Sequence, residues 1–274
     1  MSSSFMRFVA VTAAIFGAVG VLAAPLDTPE LTVRAAAKVI TKCTKAKTVA
    51  LTFDDGPYVN TKKLVDLLDK NGAKGTFFFN GNNYGCIYDS NNAGSVKYVY
   101  DKGHQVASHT WSHAHLASLS GSALTNEFSK TDTAIKKITG AVPAFMRPPY
   151  GEYDDEVLQV AGSRGQTVVI WDFDSGDSTG ASATKSKNDY KNLVARNPNT
   201  VLTLNHETIA TTVFESTGTM SFLTPSNSSR PKVISWLLLL NAWANRHINL
   251  LAARLPVTRP GSAECLTCSL PASR

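Results

Sequence analysis

The chain has 274 residues, of which 43% are hydrophobic and 18% charged, a globular composition that excludes a disordered or fibrous protein. Lys plus Arg number 27 and Asp plus Glu 21, a net charge of +6 spread along the chain without a long basic run. That pattern argues against nucleic acid as a partner and fits solubility with mild attraction to acidic surfaces such as a cell wall.

In chain order, Arg7 supplies a short positive region and Phe8 to Leu22 an apolar run, with Val21-Leu22-Ala23 or Leu22-Ala23-Ala24 as a small-residue cleavage site. This predicts a secretory signal peptide over 1–23, because the apolar run is shorter than the ~20 residues a membrane-spanning helix needs. The expected protein is secreted, extracellular or in the cell wall, without stable membrane insertion. Residues 24–42 read as a leader and 43–274 as one domain. Thr48 to Phe53 is a predicted strand. Asn60 caps a helix with Leu64, Val65, Leu67 and Leu68 on one face, ended by Gly72. Gly75 to Asn80 is a strand, Ser95 to Lys102 a helix and His104 to Ala107 a short strand. A longer helix starts at Ser120, turns Leu124, Phe128, Ile135 and Ile138 inward and stops at Gly140. Then come a strand at Ala144 to Met146, a helix at Asp154 to Gly162, a strand at Thr167 to Trp171, a helix at Ser186 to Arg196 and a strand at Val201 to Leu204. Such alternation predicts a parallel sheet with crossover helices. A barrel fits better than an open dinucleotide-binding sheet, since no GxGxxG turn follows a strand and polar clusters follow several different strands.

Those clusters are the candidate chemistry. Asp54 and Asp55 follow the first strand in TFDDGP; the plain reading is a turn, the functional one a pair of fixed carboxylates. His109 and His113 in SHTWSH share one face if the segment is helical and could then grip one metal ion. His115 points elsewhere on such a helix. In RPPYG the two prolines make a rigid platform for Arg147 and the Tyr150 backbone. Asp172, Asp174 and Asp177 crowd six residues, and His206 and Glu207 end another strand. Each cluster alone could be an ordinary turn. All five lie just after predicted strands, positions that converge on the C-terminal face of a parallel barrel.

Taken in order, TFDDGP, SHTWSH, RPPYG, DSGD and LTLNHE resemble the five motifs of the polysaccharide deacetylase family, carbohydrate esterase family four, over about Cys43 to Thr208. The run Asn80-Gly81-Asn82-Asn83-Tyr84-Gly85 is similar to secreted fungal members of that family that act on chitin. The resemblance implies a distorted, incomplete (β/α) barrel, an α/β fold with parallel strands. It implies that Asp55, His109 and His113 bind a divalent metal, zinc foremost with cobalt as an alternative, and leave an open position as catalytic zinc requires. By the same resemblance Asp54 is the general base, held ionised by Arg147. The Tyr150 backbone N–H and the metal form the oxyanion hole. His206 is the general acid, raised by Asp177 (Asp174 as the other choice), and Leu204 lines the pocket for the acetyl methyl. Trp111 and Tyr150 are further expected substrate contacts.

The implied reaction is N-deacetylation of chitin or chito-oligosaccharides by a monomer. An O-acetyl xylan esterase and a non-catalytic secreted chitin-binding protein are the competing expectations. A cationic acid favours the amide reaction, because an amide nitrogen leaves only once protonated. Two departures stand out. Ser178 follows Asp177 where the family commonly has an aromatic, and the pattern is lost over 213–262 before Glu264-Cys265-Leu266 restores it. Among the four cysteines, which permit three full pairings, a Cys43–Cys265 bridge is the preferred expectation, with Cys86 and Cys268 left over. The sequon Asn227-Ser228-Ser229 predicts a glycoprotein.

Overall fold

The structure, a computed structural model, describes residues 35–210, Thr212 and the backbone of residues 235–236. The expected signal peptide, the segment 213–262 where the sequence pattern is lost, the sequon at Asn227, Cys265 and Cys268 fall outside the described residues apart from that short backbone piece. No helix among the described residues is long and apolar enough to cross a membrane.

The strands are β1 (Val39–Ile40), β2 (Thr48–Gly56), β3 (Gly75–Phe79), β4 (Gln105–Ser108), β5 (Phe145–Met146), β6 (Thr167–Val169), β7 (Phe173–Asp174), β8 (Thr200–His206) and β9 (Ser235–Trp236). Helices α1 (Thr61–Lys70), α2 (Ser90–Asp101), α3 (Gly121–Thr139), α4 (Asp155–Ser163) and α5 (Ala183–Ala195) fall between them. All strand pairs among the described residues are parallel, in the order β1-β6-β5-β4-β3-β2-β8-β7, with β9 beside the start of β2. β6 and β7 lie near opposite ends of that order, yet only residues 170–172 separate them along the chain. Four peptide steps reach at most roughly 14 Å, so the two ends of the sheet must curl towards each other. The result is the incomplete (β/α) barrel expected from the sequence.

The strand period of two builds both the core and the site. Along β2, Val49, Leu51 and Phe53 join Phe77 and Phe79 of β3 in a core roofed by Leu64, Val65 and Leu68 of α1. The intervening Ala50 faces the interior with Phe78, Ala107, Phe145, Val169 and Leu202. Thr52 and Asp54 continue that inner row, and both bond Arg147. β2 and β3 are therefore buried on both faces, as strands covered by helices must be. A third cluster packs α3 and α4 on β5 and β6 through Leu124, Phe128, Met146, Val157 and Val168. Asp154 caps α4 by accepting from the Val157 N–H at 2.9 Å, and Gly140, at φ 84°, ends α3 in the left-handed region.

Three expectations are corrected. The leader does not run to residue 42, because Val39–Ile40 pair with Val168 and Val169 and occupy the edge of β6. The α2 helix begins at Ser90, five residues earlier than its apolar pattern indicates. The Cys43–Cys265 bridge is absent: Cys43 is a free thiol turned into the barrel interior, where its Sγ–H donates to the Val201 carbonyl at 3.1 Å and burial pushes its pKa up. Cys86 is the disulfide-bonded cysteine, and its partner lies outside the described residues.

Candidate active site

The five clusters meet at the C-terminal ends of the strands. Asp54 lies on the inward row of β2 and is 2% exposed. Asp55 follows with φ 71°, a left-handed conformation that breaks the strand alternation. Without that twist, neighbouring carboxylates would face opposite sides of the sheet. Past β4, Thr110 (φ 67°) and His113 (φ 57°) are also left-handed. The His109–His113 segment is therefore a loop, not the helix on which a four-residue spacing would align them. Its contorted backbone brings both imidazoles to Asp55: His109 Nε2 lies 3.6 Å and His113 Nε2 3.2 Å from Asp55 Oδ1. A positive φ at a β-branched threonine is costly and is held by surrounding contacts. Asn80 supplies one such contact, its Nδ2 donating to the carbonyls of His109 and Thr110.

Arg147, at the end of β5, is completely buried. Nη1 donates to Asp54 Oδ1 at 2.8 Å and to Thr52 Oγ1 at 2.7 Å. Nε donates to the Val169 carbonyl at 3.2 Å and Nη2 to the Ile170 carbonyl at 2.9 Å. Its guanidinium sits 4.4 Å over the Phe78 ring. So buried a cation needs this set of acceptors. Burial lifts the Asp54 carboxyl above its ordinary range, while Arg147 foremost, with His206 and His113, pulls it back.

His206, at the end of β8, is the register partner of Asp54 on β2. His206 Nδ1 lies 2.8 Å from Asp177 Oδ1, and the His206 N–H donates to Asp177 Oδ2 at 2.6 Å. Thr212 Oγ1 donates to the same oxygen at 2.8 Å. Burial opposes a charge on His206, but the hydrogen bond to Asp177 and the carboxylates of Asp54 and Asp177 outweigh it and raise the pKa from 6.5 to about 9. Despite burial, the same pair and Thr212 hold Asp177 below the ordinary carboxylate range. Asp174, the other choice, is exposed and accepts from the Gly176 N–H. Asp172 accepts from the Leu202 N–H at 2.6 Å, a strand-end role.

The donor set fits a divalent cation. Ligand atoms of Asp55, His109 and His113 all lie within 4.8 Å of one another. His109 Nδ1 lies 2.7 Å from the Arg147 carbonyl, which takes its proton and leaves the Nε2 lone pair facing Asp55. Burial, the largest cause in each case, holds His109 and His113 down to about 3 and keeps both imidazoles neutral, as ligands must be. Burial also raises Asp55 to about 6, with Asp54 and Asp177 adding to it and His206 opposing. A cation would relieve that crowding. Asp54 Oδ2 stands 3.8 Å from His109 Nε2, beside the ligand set. Asn83 Nδ2 reaches Asp55 Oδ1 at 3.5 Å.

Tyr150, also left-handed at φ 61°, is 54% exposed, and its ring packs edge-on to His113 and flat on His115 at 3.9 Å. His115 in turn meets Glu152 at 2.9 Å, so it supports Tyr150. Leu204 is buried on β8, beside Asp174 in register. Trp111 is corrected: its indole is 6% exposed and packs in the core, where a Cβ on Gly81 would lie 1.9 Å from its ring. Packed there, it anchors the loop that carries His109 and His113. Ser178 is exposed at the position of the family's aromatic. Asn80, Asn83 and Thr52 were given no supporting role from the sequence, and Glu207 was noted only beside His206 at a strand end; the one available signal was that each is polar at or near the end of an apolar strand.

Residues 41–169 match the polysaccharide deacetylase family. A chitin deacetylase of Pestalotiopsis sp is 45% identical over 51% of this chain and 46% of its own length. One of Colletotrichum lindemuthianum is 34% identical over 60% of this chain and 68% of its own. The solved structure of the chitin deacetylase from that fungus superposes with a TM-score of 0.64 at 29% identity, covering 68% of this chain and 85% of the other. A family 4 carbohydrate esterase from Streptomyces lividans, solved with acetate, gives 0.58 at 34% identity over 64% and 87%. The chain spans less than half the length of the first curated relatives it matches. From the matched residues and the Colletotrichum relative, whose length it covers by more than two thirds, this chain belongs to the polysaccharide deacetylase family.

Proposed function

We propose that the protein hydrolyses N-acetyl groups of N-acetylglucosamine residues in chitin or chito-oligosaccharides, outside the cell or in its wall, giving chitosan and acetate. One observation carries the reading: beside a three-ligand cation site, a carboxylate gripped by a buried arginine and a histidine kept cationic by a carboxylate are register partners. That is one proton acceptor and one proton donor at a single reacting centre, the requirement for expelling an amine from an amide. The relatives named chitin deacetylases support the substrate class.

Asp55, His109 and His113 would hold a divalent cation, zinc by the chemistry of two imidazoles and a carboxylate. Bound there, it would supply Lewis acidity to a water and to the acetamide carbonyl. Asp54 takes the proton of the attacking water, oriented by its bond to Arg147. The Tyr150 backbone N–H stabilises the developing oxyanion. His206 gives its Nε2 proton to the leaving nitrogen, while Asp177 fixes the ring through Nδ1 and sustains its charge. Leu204 borders the acetyl methyl. The exposed Tyr150 ring, backed by His115, offers a face for a sugar.

Acetate release from N-acetylglucosamine oligomers and from acetylated xylan tests the reading. Release from the oligomers at a rate well above that from xylan is expected. Release from xylan alone would replace the substrate with an ester, and tight chitin binding with no acetate would leave a binding protein.

A further inference from the structure

Glu207 follows His206 and is completely buried. It reaches the turn that leaves β2. Its backbone N–H donates to the Asp54 carbonyl at 3.2 Å, and its carbonyl accepts from Asn60 Nδ2 at 3.1 Å. Oε1 lies 2.7 Å from Thr61 Oγ1. A Cβ on Gly56 would stand 1.5 Å from that oxygen, so the carboxyl rests on the backbone directly after Asp55.

Its surroundings bear on its protonation. The Thr61 hydroxyl lies 2.7 Å from Glu207 Oε1 and 2.8 Å from the Tyr58 carbonyl, and that carbonyl already accepts from the Thr61 N–H at 3.1 Å, so the hydroxyl is free to donate to Glu207. The other carboxyl oxygen, Oε2, is buried without a hydrogen-bond partner among the described residues. An unpartnered oxygen costs far less in a neutral acid than in an ionised carboxylate. The charged groups around it agree. Burial first, then Asp55 and Asp54 of β2, disfavour a further negative charge, against the Thr61 and Tyr58 bonds, and Glu207 is raised to about 8. His206 is the cation on its own strand.

We infer that Glu207 is a positioning residue, a neutral carboxylic acid that pins the turn after Asp54 and Asp55 to the strand carrying His206. The burial of Glu207 and its grip on the turn stand alone, whereas the catalytic meaning of the groups it positions rests on the proposed deacetylation. The test compares the full chain with Glu207→Gln, which keeps a neutral donor of the same shape, and Glu207→Met, which keeps only volume. Three quantities are read: zinc affinity by competition with a chromophoric chelator, melting temperature from pH 5 to 8, and acetate release. Glu207→Gln is expected to hold zinc within about twofold of the parent, and Glu207→Met to lose about tenfold or more. An unfolded glutamate gives up its proton near 4.5 while the native one keeps it to about 8. The parent therefore loses stability across that interval as pH rises, and the glutamine variant does not. The melting advantage of Glu207→Gln should grow from pH 5 to 8. Equal zinc loss in both variants, or a melting difference flat with pH, would overturn the inference. A parent that releases no acetate would sink the proposed reaction, while the zinc and melting results would still judge Glu207.

Discussion

Replacing Asp177 with Asn leaves an acceptor 2.8 Å from His206 Nδ1 but removes its charge. His206 stands at about 9 against an ordinary 6.5, a preference for the cation worth roughly 3 kcal/mol. Asp177 supplies the hydrogen bond and one of the facing charges, with Asp54 and Asp55 supplying the rest. If the whole elevation were lost, the cationic fraction at pH 8 would fall to a few per cent and turnover by up to roughly thirtyfold, with little change at pH 6. A raised histidine stabilises the fold fully below its unfolded value. That stability is lost as pH rises through about 9. The parent should therefore lose more of its melting temperature between neutral pH and pH 9 than Asp177→Asn does. Acetate release against pH and the NMR titration of the His206 ring give both readouts. An unchanged His206 midpoint in Asp177→Asn would refute the assignment of Asp177 as the group that holds the acid cationic.

Asp54→Asn should keep the cation and lose turnover by about 10²–10⁴-fold; metal content measured beside acetate release checks this, and release at the parent rate would remove Asp54 as the base. Arg147→Met leaves Asp54 buried beside empty acceptors, and should cost about 3–5 kcal/mol of unfolding free energy. Urea denaturation reads it, and a loss below about 1 kcal/mol would show that the ion pair is not what settles Asp54 in the interior.

The inner and outer rows of β2 were legible in the sequence, because TVALTF alternates, Val49, Leu51 and Phe53 on one face and Thr48, Ala50 and Thr52 on the other, and Asp54 continues the second row. The five clusters were legible for a related reason: in a parallel barrel the strand ends converge whatever the loop lengths. The shape of the SHTWSH loop was not. Its spacing invites a helix, and the left-handed turns at Thr110 and His113 follow from tertiary contacts, among them the bonds from Asn80 to the carbonyls of His109 and Thr110. Trp111 misled for a similar reason, since an aromatic between two candidate ligand histidines reads as a sugar contact until Gly81 is seen to make room for its ring. The edge strands β1 and β7, two residues each, carry too little pattern to register. The contacts of Asn83 and Glu207 escaped because their partners, Asp55 and Thr61, lie 28 and 146 residues away along the chain.

Titration of the metal-free chain with zinc is the most direct measurement, since the rest depends on the proposed ligand set of Asp55, His109 and His113. The parent should take up one equivalent, and Asp55→Ala, His109→Ala and His113→Ala should each lose tight uptake together with acetate release. Full uptake in any two of these variants would contradict the account.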